Sequence, residues 1–413
     1  MAIYTIFVYV VWFVAIYFTI VLLLLILSNR KQLYDSPVLD ESKPLPKVSI
    51  VVPAYNEEKK IAESIESLKT VDYPQELLEI IVVNDGSTDR TAEVVSRYRG
   101  VPNLIFIDNK DNKGKAARLN QGISRARGEF VACMDADSQV QPDIIKKTVP
   151  YFRDPKTSAV TVTVKVNNPK GFMEKVIEIE YIIGLSLFLK ALSFLNSVHV
   201  TPGPFSIYRK SVLKKIGGFD ETSITEDLEI AHRLQRYDYK IASCLTTYVR
   251  TIIPESMRGL YRQRRRWYSG ALITFWQYRD MAFRKKAGVF GVFLPYIYTV
   301  MVLGLILFLS SSYLGLTDMF HNLSLYAHTN FNFFEHFSLK DIDPLSVSVF
   351  GVFGLSSIVS VFLLAFIGVK LTGQKIRSKA KGLMGFWLLF FIYQVFWISA
   401  FFNVLFRREV KWR

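Results

Sequence analysis

A chain of 413 residues has room for two or three domains, and half of its residues are hydrophobic with aromatics at 14%; this excludes an ordinary soluble single-domain protein and brings a membrane class forward. The formal net charge of +15 calls for an anionic partner: nucleic acid, acidic lipid or a phosphorylated substrate. Only two cysteines are present, Cys133 and Cys244, both in apolar strand-like segments far apart in sequence. That count excludes a disulfide framework and a thiolate metal site, so both read as reduced core residues of a cytosolic domain.

Residues 2–27 carry no charge and as a helix would span about 39 Å at ~1.5 Å per residue, enough to cross a bilayer with some tilt. A signal peptide would need a basic start, a shorter apolar stretch and a small-residue cleavage site. None is there, so residues 1–28 read as an uncleaved anchor. Arg30 and Lys31 follow at once and place its C-terminal end in the cytoplasm. Residues 29–46, with Pro37, Pro44 and Pro46, read as an irregular linker.

From Lys47 the pattern changes to strands alternating with amphipathic helices, predicting an α/β domain over 47–285 with a mainly parallel sheet. The first strand, 48–52, ends in Pro53-Ala54-Tyr55-Asn56-Glu57-Glu58 and leads to a helix with Ile61, Ile65 and Leu68 on one face. The second, 78–83, ends in Asn84-Asp85-Gly86-Ser87-Thr88-Asp89, a tight turn running into a helix cap. A third strand, 104–107, leads to Asn112-Lys113-Gly114-Lys115. The fourth, Phe130-Val131-Ala132-Cys133-Met134, runs straight into Asp135-Ala136-Asp137-Ser138.

Any one of these clusters could be a turn. Four strands in succession emptying polar groups onto one sheet edge describe a nucleotide pocket, because ligands of open α/β sheets bind at the carboxyl ends of the strands. Tyr55 could lie against a base, Glu57 and Asp85 could accept from base or ribose, and Lys115 could meet a phosphate. Asp135 and Asp137, acidic and oxygen-only, suit Mg²⁺ or Mn²⁺ held together with substrate phosphates. Neither a Gly-rich dinucleotide fingerprint nor a Walker loop occurs, which counts against hydride transfer and ATP hydrolysis.

Residues 160–166 read as a strand and 172–195 as a helical stretch that is either a domain helix or one lying at a membrane surface. Thr201-Pro202-Gly203-Pro204 forces an irregular, exposed backbone. Ser223 and Glu226 have capping-box spacing, so Glu226 and Asp227 have a structural reading as first-turn acids. In Tyr261-Arg262-Gln263-Arg264-Arg265-Arg266-Trp267-Tyr268, the arginines could grip acidic lipid head groups or, with the tryptophan, a sugar diphosphate.

Beyond residue 286 the chain is a C-terminal membrane region. Segments 289–317, 345–369 and 382–406 are free of charge and long enough to span, giving four hydrophobic spans with the anchor. Residues 318–344 hold one basic residue, Lys340, and 370–381 hold five, which puts the first loop outside and the second in the cytoplasm, beside the α/β domain. His321, His328 and His336 in the outer loop read as incidental, and Asn322-Leu323-Ser324 has the form of a glycosylation sequon. Four spans put the C-terminus outside, against the pull of Arg407, Arg408, Lys411 and Arg413.

Taken in order, Tyr55-Asn56-Glu57, Asn84-Asp85-Gly86, Lys115, Asp135-Ala136-Asp137, Thr225-Glu226-Asp227 and Gln263-Arg264-Arg265-Arg266-Trp267 resemble the motif set of membrane-integrated family 2 glycosyltransferases. These include cellulose, chitin, hyaluronan and poly-N-acetylglucosamine synthases. The resemblance implies a GT-A fold that binds a UDP-sugar with Mg²⁺ or Mn²⁺ at the cytosolic face of the cell membrane and transfers the sugar with inversion. It implies that Tyr55, Glu57, Asp85 and Lys115 hold the uridine and its phosphates, that Asp137 binds the metal and that Asp135 lies nearer the nucleotide and sugar. Asp227, with Glu226 beside it, would be the general base. Gln263 and Arg266 would steady the diphosphate, and Trp267 would seat the acceptor, with Gly203 on that side too. The segment around Gly203 resembles hyaluronan synthases more than cellulose synthases. The implied partners are a UDP-sugar, a growing glycan or lipid acceptor and membrane lipids, with no nucleic acid. Two activities stay open: extension of a β-linked polysaccharide, or transfer of a single sugar to a polyprenyl-phosphate or glycolipid acceptor.

Overall fold

The computed structural model describes residues 2–328 and 349–406. Eight strands form one sheet: Val48–Ala54 (β1), Leu78–Asp85 (β2), Leu104–Asn109 (β3), Phe130–Cys133 (β4), Gln139–Val140 (β5), Thr157–Val166 (β6), Ser206–Arg209 (β7) and Lys240–Thr251 (β8). Their order is β3-β2-β1-β4-β7-β6-β8-β5, and β3, β2, β1 and β4 all run parallel. All seven residues of β1 are buried, as expected for a β-branched run covered by helices on both faces. The order reverses between β1 and β4, where the chain goes first to one side and then to the other. A crevice therefore opens at their carboxyl ends, beside Tyr55 and Asp135.

The four predicted strand ends do share one edge, and the predicted helix Ile61–Lys69 buries Ile61, Ile65 and Leu68. The first three strands each extend two residues past the predicted end. In β2 and β3 the added residues are polar, and they still pair, Asn84 with Asp108 and Asp85 with Asn109. The segment 201–209 corrects the expectation of an exposed backbone. Thr201 and Pro202 are buried, and Ser206–Arg209 enters the sheet antiparallel between β4 and β6. The Pro-Gly-Pro run shapes only the approach to that strand.

Residues 172–194 form one continuous helical rod, α-helical at Phe172–Tyr181 and Leu189–Phe194 with a π-helical centre at Ile182–Phe188. One side buries Ile177 and Tyr181 in the domain core. The other packs Ile179 and Ile182 on Ala365 and Val369, and Leu187 and Ala191 on Leu22, Ile26 and Leu364. The rod is a domain helix that also seats the apolar helices.

Among the described residues, two helices are long and apolar enough to cross a membrane, Ile3–Ser28 and Phe290–Leu323; Ile358–Leu371 and Phe391–Leu405 are shorter apolar helices. The helix from Phe290 runs to His328, so residues 318–328 are helical rather than loop. His336, Lys340 and the four terminal basic residues lie outside the described residues. The predicted last span is divided. Gly382 and Gly385 belong to the helix Ile376–Gly385, where a Cβ on Gly382 would strike the backbone of Lys175. A new helix, Leu388–Leu405, then lies along the helix Met257–Gln277.

Candidate active site

The loops after β1 and β2 are laced together. Asn56, at φ 55°, donates its N–H to Ser87 Oγ (3.0 Å) and accepts from Thr88 N–H at Oδ1 (2.8 Å). The N–H groups of Glu57 and Glu58 donate to Thr91 and Asp89 (2.8 and 3.1 Å). Tyr55 stands half-buried at this seam. Gly86 takes φ +66°, and a Cβ there would lie 2.7 Å from the carbonyl carbon of Asp111, so only glycine lets the loop after β2 meet the loop after β3.

Asp85 is buried and accepts from Lys113 N–H (2.8 Å), Gly114 N–H (3.0 Å) and Arg118 Nε (2.6 Å). Arg118 also donates to the Asp111 carbonyl and carboxylate. The carboxylate predicted to face a base or ribose is thus already engaged with three donors, and it fixes the loop that delivers Lys115. Sequence reasoning missed Arg118. Its signal was a charge on the apolar face of the helix Lys115–Arg125, among Ala116, Leu119 and Ile123.

Lys115 is the junction. Its Nζ lies 2.7 Å from Asp135 at the end of β4 and 2.7 Å from Glu226 at the start of the helix Glu226–Arg236. Gly203 closes the group: Asp135 N–H donates to its carbonyl (3.2 Å), and a Cβ on it would sit 2.7 Å from Lys115 Nζ. The expected capping box is not formed. Thr225 is the N-cap, Ser223 accepts from the Thr225 N–H, and Glu226 is drawn to Lys115. A buried ammonium outcompetes a backbone amide for a carboxylate.

Asp227 follows, half-buried, its Oδ1 accepting from Leu228 N–H (2.9 Å) and its carbonyl accepting from the Thr201 N–H and hydroxyl. Arg266 donates to the Ile224 carbonyl (3.3 Å), which brings it to the same turn. Gly270, one turn further along, leaves no room for a Cβ against Thr225, so its absence of a side chain lets the two helices close there.

The charges act on one another as a single field. Burial pushes the Asp227 carboxyl up to about 6, aided by Glu226 and Asp135 and opposed by Lys115 and Arg266. Burial likewise pushes Asp137 up to about 7, aided by Asp135 and Glu57. Burial alone would lower the Lys115 pKa, but Asp135, Glu226 and Asp227 outweigh it and hold the ammonium above the usual lysine range. Asp137 accepts from the Ser138 hydroxyl (3.2 Å).

Among the described residues no three His, Cys, Asp or Glu side chains are arranged to hold a metal. Asp135 and Asp137 are a smaller set, two hard carboxylates whose mutual repulsion leaves the site short of positive charge. That fits Mg²⁺ or Mn²⁺ taking its remaining oxygens from water and a bound diphosphate.

The arginine row divides. Arg262 is exposed, Arg264 is fully buried, Arg265 lies over Tyr261 and Arg266 turns to Ile224. Gripping lipid head groups would need the row on one open face, so that reading loses ground. Gln263 accepts from Arg264 (3.2 Å), and Trp267 lies under the Arg264 guanidinium at 4.1 Å.

A mostly parallel sheet with acidic groups at this crevice gives the chain a GT-A fold. A solved neighbour with that fold, mannosyltransferase PcManGT from Pyrobaculum calidifontis in complex with GDP-Man and Mn²⁺, superposes with TM-score 0.59 at 20% identity, covering 97% of this chain and 100% of its own. Residues 49–217 match the family model described as glycosyl transferase family 2. The poly-β-1,6-N-acetyl-D-glucosamine synthase of Staphylococcus epidermidis is 32% identical over 244 residues, 58% of this chain and 59% of the relative. Its Staphylococcus aureus (strain COL) counterpart is 32% identical over 224 residues, 54% of each chain. The chain thus spans little more than half the length of these curated relatives.

Proposed function

We propose that the protein is an inverting, processive polysaccharide synthase that extends a β-linked chain from a UDP-sugar at the cytosolic membrane face, with Mg²⁺ or Mn²⁺. The observation that carries this reading is the bridge made by Lys115. It ties Asp135, on the donor side, to Glu226, next to the candidate base, within one buried set of charges.

Asp227 takes the proton from an acceptor hydroxyl. The acceptor oxygen attacks the anomeric carbon opposite the departing group and forms the new glycosidic bond. The bond from that carbon to the diphosphate oxygen breaks, and the nucleoside diphosphate leaves with the electron pair. Arg266 and Gln263 steady the diphosphate, and Trp267 offers a flat face to the acceptor sugar. Asp137, with Asp135, would hold the divalent cation, which supplies charge neutralisation on the departing diphosphate.

The names of the staphylococcal relatives make UDP-N-acetylglucosamine the first donor to test, beside UDP-glucose and UDP-glucuronate. Purified full-length protein given each labelled donor should make a ladder of oligomers from one of them. A single lipid-linked sugar as sole product would overturn the processive reading in favour of transfer to a lipid.

Three further outcomes follow from the geometry and the charges. Gly203→Ala should leave the fold intact, because the new methyl meets the movable tips of Lys115 and Asp135, yet shift both and lower kcat on the order of 10²-fold. Normal kcat would show that Gly203 does not need its bare backbone. Transfer should also fall as pH drops through about 6, where Asp227 takes up a proton. The concentration of Mg²⁺ needed for half-activity should rise below about pH 7, because the ion must displace a proton from Asp137. A flat Mg²⁺ requirement from pH 5 to 8 would remove Asp137 from that role.

A further inference from the structure

Arg264 has no solvent exposure, yet it sits at a position where a helix beside the site could have carried an aliphatic residue. Each of its three guanidinium nitrogens has a partner. Nη2 donates to Glu180 (2.7 Å), Nε to the Tyr393 hydroxyl (3.3 Å) and Nη1 to Gln263 (3.2 Å). The Tyr393 hydroxyl in turn donates to the same Glu180 oxygen (2.5 Å). The plane lies over Trp267 at 4.1 Å, with Tyr181 and Tyr393 at 5.7 and 5.6 Å. Three helices meet here: Phe172–Tyr181, Met257–Gln277 and Leu388–Leu405.

A buried ion pair adds little net stability over well-packed apolar groups, so stability alone does not account for this cluster. What a guanidinium gives that no aliphatic residue gives is a rigid plane with donors in fixed directions and a face that stacks. Here the fork is held by Glu180 and Tyr393, while its face lies over Trp267, the residue proposed above for the acceptor.

We propose that Arg264 is a positioning residue, clamped by Glu180 and Tyr393, that sets the attitude of Trp267 and so makes the apolar helix Leu388–Leu405 a working part of the acceptor side. The proposal rests on the functional reading above. It also extends the acceptor side to a segment outside the residues 49–217 that match the family. The same helix is tied down a second time by Ser399 against the Tyr261 hydroxyl (2.5 Å) and by Trp397 stacked on Tyr268 at 4.0 Å.

The test uses the full chain in lipid nanodiscs with three variants. Arg264→Lys keeps the charge but loses the fork and the stack, Glu180→Gln keeps the shape, and Tyr393→Phe removes a single hydroxyl. UDP affinity by calorimetry should stay within about twofold in all three, while the acceptor KM rises about tenfold or more and product ladders shorten. Arg264→Lys combined with Tyr393→Phe should lose no more than Arg264→Lys alone, because both break one clamp. The Trp267 emission, taken as the difference from Trp267→Phe, should move to the red in each variant. Unchanged acceptor KM with unshifted emission would overturn the proposal, as would a parallel loss of UDP affinity, which would mark a general packing role. If the unmodified protein forms no glycosidic bond from any nucleotide sugar, the functional reading fails by itself; the emission experiment then still decides whether Arg264 holds Trp267.

Discussion

Asp227→Asn should lower the rate of sugar transfer about 10²–10⁴-fold while leaving donor KM nearly unchanged, the signature of a lost general base. The amide keeps the shape and can still accept from the Leu228 N–H, so the deficit belongs to proton transfer. The variant should also be no less stable than the parent at neutral pH. Asp227 is raised from its ordinary value of 3.8 to about 6, so the folded state binds the proton more tightly than the unfolded one. Its favourable contribution is complete below about pH 4 and is lost as pH rises through about 6; at pH 7 the ionised group opposes folding. Stepwise pH-melts of parent and variant should therefore converge in acid and separate towards neutrality, with the variant higher. A variant that turns over at parental rate would dismiss Asp227 as the base.

Lys115→Met should be the most damaging change to both activity and stability. The ammonium is only 14% exposed and is the shared partner of Asp135 and Glu226. Its removal leaves two crowded carboxylates without their cation, a loss of about 3–5 kcal/mol when one member of a buried ion pair is deleted. Adding Glu226→Gln should return part of the stability, since one stranded charge is removed, but no activity. Thermal melts of single and double variants in the same detergent, run beside the transfer assay, separate the two effects. Full recovery of transfer in the double variant would show that Lys115 serves only to neutralise Glu226.

Much of this site was legible because its signals are local. An apolar run that stops at Asp135 and Asp137, or at Asn84 and Asp85, announces a strand end bearing polar groups, and strict alternation with amphipathic helices announces a parallel sheet. Lys115 was legible for the same reason, standing where a loop turns into a helix. The capping-box expectation at Ser223 and Glu226 failed because local spacing cannot see an ammonium that arrives from Lys115, 111 positions earlier (226 − 115). Arg118, Glu180 and Tyr393 went unread for a related reason. Their partners lie 33, 84 and 129 positions away, and a single charged or aromatic residue on a helix carries no mark of the distant group that will meet it.

The last apolar segment shows where the division falls. From composition, 382–406 is one uncharged stretch long enough to span; in three dimensions two glycines give its beginning to the helix that packs on Phe172–Tyr181, and Tyr393 and Ser399 bind the remainder to the helix that carries Arg264. The amino-acid sequence by itself determined the GT-A sheet, the edge at which the polar strand ends collect and the apolar character of both ends, because each rests on periodicity and on residues adjacent in the chain. Only the tertiary structure decided which carboxylate faces Lys115, which is engaged with Arg118, and that the helix Leu388–Leu405 reaches Arg264. Those outcomes depend on charges and rings from remote segments meeting where water has been excluded.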